Sequence, residues 1–298
     1  MRIGIDLGGT KIEAVALDGA GAEIFRQRVP TPRHDYAATI AAVAELAARA
    51  GAKPGGAKPV GVGVAIPGSV SRLTGLVKNA NSTWLNGKPL KTDLEAALGC
   101  PVVLANDANC FVLSEATDGA GAGADVVFGV IAGTGTGGGV AVHGKVLEGP
   151  HGLAGEWGHN PLPGMSAEEL TEAPACYCGK RGCIESWISG PGLAADLARH
   201  GGGNLSAEEI AASNQAAAKE AMARFTNRFA RALASVVNIL DPDVIVLGGG
   251  LSNIQSLYRD LPPLVEHHAF SAEAPPKIIQ NRHGDSSGVR GAAWLAPQ

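Results

Sequence analysis

Short apolar runs alternate along the chain with longer stretches in which Ala, Leu and Ile recur at helical spacing. Residues 2–6 and 12–17 are apolar runs on either side of a glycine turn, and this pattern predicts a β-hairpin. Residues 35–50 are rich in Ala, with Leu and Ile at helical spacing, which predicts a helix capped by Asp35. Strands that alternate with helices are typical of an α/β protein.

The remaining patterns continue this alternation through the chain. The predicted strands are residues 60–66, 102–104, 125–132, 140–142 and 244–247, and the predicted helices are residues 106–116, 216–240 and 287–295. Residues 148–182 are rich in Gly, Pro and Cys, and we expect them to be irregular. A strand, a glycine turn and a second strand occur near Gly8 and again near Gly135, which predicts two related halves.

Length and charge narrow the class of protein. The 298 residues suffice for two domains, and a cleft between them is the default site. A formal net charge of -4 without a Lys/Arg-rich run argues against a nucleic-acid surface and against an anionic-membrane anchor. The chain start lacks the pattern of a signal peptide, and no apolar stretch reaches the roughly 18 residues of a membrane span. We therefore expect a cytoplasmic protein.

The first glycine turn is a candidate phosphate site. Its tight geometry can direct backbone N–H groups and a hydroxyl at phosphate oxygens, and Asp6 at the strand end could hold Mg²⁺ directly or through water. The candidate residues are Asp6, Gly8, Gly9, Thr10 and Lys11. A plain hairpin turn is the alternative interpretation.

A second glycine-rich segment formally satisfies the dinucleotide fingerprint GxGxxG at Gly133, Gly135 and Gly138. That fingerprint requires a helix immediately afterwards, whereas strand and turn residues follow here. A Walker A sequence is absent from the chain. We therefore interpret the segment as a second hairpin that faces the first and clamps an ATP phosphate tail. Its candidate residues are Gly133, Thr134, Gly135, Thr136 and Gly137.

A third glycine cluster, Gly248, Gly249 and Gly250, follows an apolar strand. Backbone without side chains would let a flat ring such as adenine lie close to it. A simple loop at a strand end is the alternative.

Asp107 lies in the sequence Asn-Asp-Ala-Asn at a predicted strand-to-helix junction. A carboxylate there suits a general base in a cleft, and a helix N-terminus favours its ionised form. Asp and Asn are also the preferred helix N-caps, so spacing alone favours the cap.

Three of the five cysteines are crowded into residues 176–183. With His159, the thiols of Cys176, Cys178 and Cys183 form a closed tetrahedral zinc set that leaves no position for water. Incidental cysteines are the alternative, but crowded thiols without metal would invite oxidation. Glu156 and Glu185 flank this set; anchored carboxylates are good acceptors for sugar hydroxyls, although either could be a solvated surface acid.

In this order the motifs resemble the ROK family of sugar kinases, named for its repressors, open reading frames and kinases. Residues 4–11 look like the family's N-terminal phosphate motif, and Glu156-x-x-His159 with residues 176–185 looks like its two signature segments. The resemblance implies an actin/hexokinase-like (ribonuclease H-like) α/β fold with two domains around a cleft. The small domain would cover residues 1–118 and 285–298, and the large domain would cover residues 119–284. The large domain would contain the zinc loop, residues 155–185.

The resemblance also implies an ATP- and Mg²⁺-dependent kinase with structural zinc. Asp107 would act as the general base. The sugar would be held by Gly68, Asn81, Asn106, Asp107, Glu156, His159 and Glu185. One ring nitrogen of His159 would bind zinc and the other the sugar. Relatives also make a homodimer plausible.

Within the family, residues 65–69, 79–87, 155–163 and 283–291 are most similar to bacterial fructokinases. We therefore expect phosphorylation of the 6-hydroxyl of fructose, with mannose next. N-acetylglucosamine kinases share several of these segments, so an N-acetylglucosamine kinase or a glucokinase is the alternative. A sugar-responsive repressor is disfavoured because no helix-turn-helix segment precedes the first strand. Asp107 disfavours a binding protein without catalysis, and the missing helix disfavours an oxidoreductase.

Overall fold

The computed structural model describes residues 1–52, 60–270 and 273–297, and its strands form two five-stranded sheets and one two-stranded sheet. The strands in chain order are β1 (Arg2–Leu7), β2 (Lys11–Leu17), β3 (Glu23–Pro30), β4 (Val62–Ile66), β5 (Ser69–Val70), β6 (Val77–Lys78), β7 (Val102–Asn106), β8 (Val126–Ala132), β9 (Thr136–Val142), β10 (Lys145–Val146), β11 (Val244–Gly248) and β12 (Ile278–Gln280).

The two large sheets share one arrangement. Their strand orders are β3-β2-β1-β4-β7 and β10-β9-β8-β11-β12. In each sheet the first three strands pair antiparallel, and the last three pair parallel. The glycine hairpins β1–β2 and β8–β9 occupy equivalent places, as expected for two related halves.

The helices cover the sheets and connect their parallel strands. In chain order they are α1 (Tyr36–Gly51), α2 (Leu90–Leu98), α3 (Asp107–Thr117), α4 (Ala167–Glu172), α5 (Ile184–Ile188), α6 (Gly190–Arg199), α7 (Ala207–Ala212), α8 (Ala216–Leu240), α9 (Ser256–His268) and α10 (Ser287–Leu295). Asp35 caps α1 by accepting a hydrogen bond from Ala38 N, as predicted. Helices α8 and α10 have the predicted bounds. No helix of the described segments is both long and apolar enough to cross a bilayer.

The segment predicted to be irregular contains α4. Its signal is local: the Ser166 side chain accepts from Glu169 N, and the Glu169 side chain accepts from Ser166 N. This reciprocal capping box satisfies N–H groups that a short helix otherwise leaves unpaired. The composition of residues 148–182 therefore concealed a helix that the Ser-x-x-Glu spacing predicts.

Helices α3 and α10 cross between the two sheets. Helix α3 follows β7 of the first sheet but packs on the second, where a Cβ on Gly129 would lie 2.9 Å from Val112 Cβ. Helix α10 follows the second sheet but packs on the first, where a Cβ on Gly4 would overlap the Val289 carbonyl. At the crossing, a Cβ on Gly291 would overlap the carbonyl of Cys110. Each half therefore supplies the helix that supports the other sheet.

The return of α10 to the first sheet accords with the predicted addition of residues 285–298 to the small domain. Helix α3 contacts both sheets, so it lies at the predicted boundary near residue 118. The domain limits stay a prediction.

Candidate active site

The first glycine turn is a tight hairpin, as the sequence predicts. Gly8 N donates to Lys11 O at 3.0 Å, and the Thr31 hydroxyl donates to Gly8 O at 2.7 Å. A Cβ on Gly8 would lie only 2.9 Å from Lys11 O, so the turn requires glycine there. Thr10 at its tip is exposed.

Asp6 is the last residue but one of β1 and lies near two other carboxylates. Burial, followed by the nearby Asp107 and Glu13 carboxylates, raises the pKa of Asp6 to about 7, against the opposing effects of Lys11 and Arg28. Glu13 is buried and paired with Arg26 and Arg28, so its charge acts on Asp6 from inside the fold. The carboxylate oxygens of Asp6 suit a hard divalent cation, and Mg²⁺ near Asp6 stays a prediction.

Asp107 is the first residue of α3, and it is exposed. The capping role belongs to Asn106, whose side chain accepts from Ala108 N at 2.9 Å. Asp107 Oδ1 also accepts from Ala108 N, at 2.8 Å. Asn106 Nδ2 donates in turn to Gly68 O at 3.2 Å, which ties α3 to the loop after β4.

The electrostatic setting of Asp107 differs from the sequence expectation. Desolvation by the surrounding protein, with a further contribution from the Glu156 charge, raises the pKa of Asp107 above its ordinary value. Hydrogen bonds from Ala108 N–H and from Asn106 oppose this shift without cancelling it. A raised pKa makes the carboxylate a stronger proton acceptor, as general-base catalysis requires.

Gly68 and Asn81 lie in neighbouring loops, because a Cβ on Gly68 would lie 2.8 Å from Ala80 Cα. Gly68 has φ 119°, and a Cβ there would lie 2.7 Å from Lys78 O, so the loop after β4 requires glycine. Asn81 is exposed and follows Ala80, whose backbone N–H and carbonyl both bond to the Asn86 side chain. The structure thus places Gly68, Asn81, Asn106 and Asp107 around one region.

The four predicted zinc ligands converge. The ligand atoms of His159, Cys176, Cys178 and Cys183 all lie within 4.8 Å of one another. The His159 Nδ1–Cys176 Sγ and Cys178 Sγ–Cys183 Sγ distances are both 3.6 Å, and all three thiols are free. Zn–S bonds of about 2.3 Å in a tetrahedron place ligand atoms about 3.8 Å apart, so the set fits zinc.

Tyr177, between two of these cysteines, was missed by the sequence analysis. Its OH lies 2.9 Å from His159 Nε2, and its ring contacts the imidazole edge to face at 5.1 Å. Because Nδ1 faces the thiols, Nε2 is the nitrogen expected to face the sugar, and here it meets Tyr177. Tyr177 is 83% exposed, a degree of exposure unusual for an aromatic ring. Its position within Cys-x-Cys was the available signal.

Glu156 and Glu185 are the two carboxylates beside the zinc ligands in the sequence that were predicted to bind the sugar. Burial, with Glu185 adding, raises the pKa of Glu156, while His159 and Lys78 oppose the shift. Glu185 Oε2 accepts from Thr136 N at 2.9 Å. One carboxylate oxygen of Glu185 therefore supports the second glycine turn.

That turn is shorter than predicted. Strand β9 begins at Thr136, and within the turn Gly133 N donates to Gly135 O at 2.9 Å. Gly137 pairs with β8, and its carbonyl accepts from Trp157 Nε1 at 3.1 Å. A Cβ on Gly139 would lie 2.6 Å from Ala108 O. The glycines from Gly137 onward therefore serve close packing against α3 and Trp157.

The three glycines of the third cluster also differ in their surroundings. Strand β11 ends at Gly248, where a Cβ would overlap the Phe111 ring. Gly249 has φ 78°, and a Cβ there would overlap the Ala132 carbonyl. Of the three, only Gly250 lines a cavity of about 440 Å³, which reaches the second glycine turn. The cavity is lined by Gly133, Thr134, Gly190, Pro191, Ala194, Ser206, Ala207, Glu208, Gly250 and Leu251.

Two repeated α/β halves, each beginning with a glycine-containing hairpin, and a carboxylate at the start of the helix between them are typical of the actin/hexokinase-like fold. The comparisons confirm the predicted fold class. The ROK family model matches residues 2–298, so the chain belongs to the ROK family, as its motifs indicate. It is similar to the N-acetyl-D-glucosamine kinases of Photobacterium profundum and Vibrio cholerae. Each is 41% identical over 301 residues, which cover 99% of both chains.

Solved structures show the same relationship. The chain superposes on the ROK hexokinase from Thermus thermophilus with a TM-score of 0.87 and 33% identity, covering 99% of this chain and 97% of the other. It superposes on a ROK family glucokinase from Streptomyces griseus, solved with glucose and AMPPNP, with a TM-score of 0.76 and 27% identity, covering 99% and 98%.

Proposed function

We propose that the protein is an ATP-dependent kinase that phosphorylates the 6-hydroxyl of N-acetyl-D-glucosamine. The observation that carries the kinase assignment is Asp107, which is exposed at the start of α3 while Asn106 takes the capping role. Relatives named N-acetyl-D-glucosamine kinase, about 40% identical over the whole chain, support this sugar. The sequence analysis favoured fructose and gave N-acetylglucosamine as its alternative; the relatives favour the alternative.

The nucleoside of ATP would occupy the cavity beside Gly250. The phosphates would extend between the turn at Gly8–Lys11 and the turn at Gly133–Thr136, where backbone N–H groups and the Thr10 hydroxyl are available. A bound Mg²⁺ supplies charge neutralisation on the phosphates, and Asp6 would hold it. Phosphoryl transfer depends mainly on positioning and charge stabilisation, so this sparse set of residues is sufficient.

The sugar would lie between Asp107 and the zinc loop. Asp107 accepts the proton of the attacking hydroxyl as that oxygen approaches the γ-phosphorus. Asn106, Glu156 and Glu185 offer polar atoms for the remaining hydroxyls, with His159, Asn81 and Gly68 completing the predicted set. Closure of the cleft would exclude water, which competes as a phosphoryl acceptor.

Zinc, when bound, supplies a fixed structural cross-link among His159, Cys176, Cys178 and Cys183. Those residues would tie the irregular segment between Gly155 and Glu185 into one shape. Glu156, His159 and Glu185 would thereby be held ready for the sugar, in the way that a second shell orients a first.

The test is a coupled assay of ADP release with N-acetylglucosamine, N-acetylmannosamine, glucose, mannose and fructose. We expect the highest kcat/KM for N-acetylglucosamine and a product phosphorylated at the 6-position. A preference for fructose would restore the first sequence-based assignment. Absence of sugar-dependent ADP release across the panel would overturn the kinase assignment.

A further inference from the structure

Glu208 is a carboxylate without a structural partner at the wall of the glycine-lined cavity. It lies in the first turn of α7 and is exposed. Within the described parts of the chain it makes no hydrogen bond and no ion pair. A Cβ added to Gly250 would lie 3.8 Å from Glu208 Oε1, so the carboxylate faces the backbone that borders the cavity. The fold itself therefore does not explain this side chain.

The neighbouring residue, Glu209, caps helix α7. Glu209 Oε2 accepts from Ser206 N at 2.7 Å, and Glu209 N donates to Ser206 Oγ at 3.2 Å, which completes a capping box. Helix α4 repeats the sequence Ser-Ala-Glu-Glu, and there Glu169 makes the same pair of bonds with Ser166. In both helices the second Glu forms the capping box, and the first Glu takes no part in it. Of the two glutamates outside the capping boxes, Glu168 and Glu208, only Glu208 lines the cavity.

The cavity wall combines two kinds of chemistry. Gly133 and Thr134 of the second glycine turn, the proposed phosphate site, line it together with the carboxylate of Glu208. An ionised carboxylate accepts hydrogen bonds and repels phosphate, so it suits a hydroxyl-bearing part of the ligand. Of the parts of ATP, the ribose carries a pair of hydroxyl donors. A cavity of about 440 Å³ is within the size range of small-molecule sites.

We propose that Glu208 accepts hydrogen bonds from the ribose hydroxyls of ATP and is a specificity residue for the phosphoryl donor. The proposal rests on the proposed function, in which the nucleoside of ATP occupies this cavity. Discrimination would act on ribonucleotides against deoxynucleotides, and against donors such as a polyphosphate chain that carry no ribose. Carboxylate recognition of ribose hydroxyls also occurs in dinucleotide-binding folds, where an acidic residue meets the 2′-hydroxyl.

The experiment measures kcat and KM for ATP, 2′-deoxy-ATP and 3′-deoxy-ATP at saturating sugar. A hydrogen bond to a charged group is worth about tenfold in affinity, so the native protein should prefer ATP by about that factor over at least one deoxy analogue. In Glu208→Ala the KM for ATP should rise about tenfold and approach that for the analogue, with kcat little changed. Glu208→Gln keeps an acceptor oxygen without the charge and should lose part of the preference.

Glu168→Gln is the matched control, because Glu168 has the same place in the same capping sequence of α4 but lies outside the cavity. It should keep the full preference for ATP. If both Glu208 variants also keep the preference for ATP, the proposed role of Glu208 is wrong, even if the protein is an ATP-dependent sugar kinase. If no sugar is phosphorylated, equilibrium binding of ATP and 3′-deoxy-ATP to the same variants tests Glu208 separately. An equal affinity of the native protein for ATP and both analogues would likewise overturn the proposal.

Discussion

Glu185, two residues beyond the last cysteine, accepts a hydrogen bond from the backbone N–H of Thr136 at 2.9 Å. A Cβ on Gly135 would lie 2.6 Å from the same carboxylate oxygen, so the contact depends on glycine in the turn. From the sequence, we expect the zinc loop to influence the sugar and to leave ATP less affected, because the phosphate turns lie elsewhere in the chain. The structure joins them directly, so a change in the zinc loop should reach both substrates.

Loss of one thiol should therefore have a double effect. We expect the native protein, purified without added metal, to hold about one Zn²⁺ per chain, because four soft or borderline donors complete a tetrahedron. Cys178→Ser should lose the metal, lower the thermal midpoint and raise KM for both the sugar and ATP. Elemental analysis, thermal unfolding and steady-state kinetics provide the three readouts.

Cys100→Ser is the control for that variant, because Cys100 is half-buried and outside the cluster. It should keep zinc and both KM values. Native protein without zinc but with normal sugar phosphorylation would contradict the metal assignment. A Cys178→Ser variant with a raised KM for the sugar alone would contradict the link through Glu185.

Asp107→Asn should leave the fold and sugar binding largely unchanged, because Asn106 supplies the cap of α3. It should lower kcat by about 10²–10⁴-fold, the usual contribution of general-base catalysis. Single-turnover kinetics with sugar binding measured in parallel would separate chemistry from affinity. Near-native turnover in this variant would remove Asp107 from the mechanism.

The raised pKa of Asp6 makes stability depend on pH. Its pKa is 3.8 in a model peptide and about 7 in the folded protein, so the folded state holds this proton more tightly than the unfolded state. Its contribution to stability is therefore fully present below about pH 4 and is lost as pH rises through about 7. Asp6→Asn should flatten this part of the profile, as measured by chemical unfolding without Mg²⁺ or nucleotide. Parallel profiles of the variant and the native protein would show that Asp6 carries no such shift.

Tyr177 should compete with the sugar for His159. Its OH lies at hydrogen-bond distance from Nε2, so a sugar hydroxyl that uses this nitrogen must displace the phenol. Tyr177→Phe keeps the ring contact and removes the OH; it should lower the sugar KM about two- to tenfold, the value of one ordinary hydrogen bond. KM for ATP and zinc content should not change. A raised sugar KM would instead show that the OH assists binding.

The local features of this protein follow from its sequence. Helices α8 and α10, the Asp35 cap and the first glycine hairpin could be predicted because period, cap chemistry and turn residues act over a few neighbouring positions. The convergence of His159, Cys176, Cys178 and Cys183 could be predicted for a similar reason. Ligand identity and count restrict the chemistry of four donors before their coordinates are known.

The roles of the glycines could not be predicted in this way. Gly8 and Gly133 lie in turns, whereas Gly137 and Gly248 lie in strands that pack closely on other elements. A missing side chain suits a turn, a ligand contact or a close helix–strand approach equally well, and sequence alone does not distinguish them.

Contacts between distant segments belong to the tertiary structure alone. The crossing of α3 and α10, the bond from Thr136 to Glu185 and the position of Glu208 beside Gly250 join residues that lie 40 or more positions apart. Periodicity describes which face of an element is apolar, and it does not say which face of which other element will cover it. The packing of the two repeated halves decides this, because α3 and α10 pack on the sheet of the half to which their neighbours in sequence do not belong.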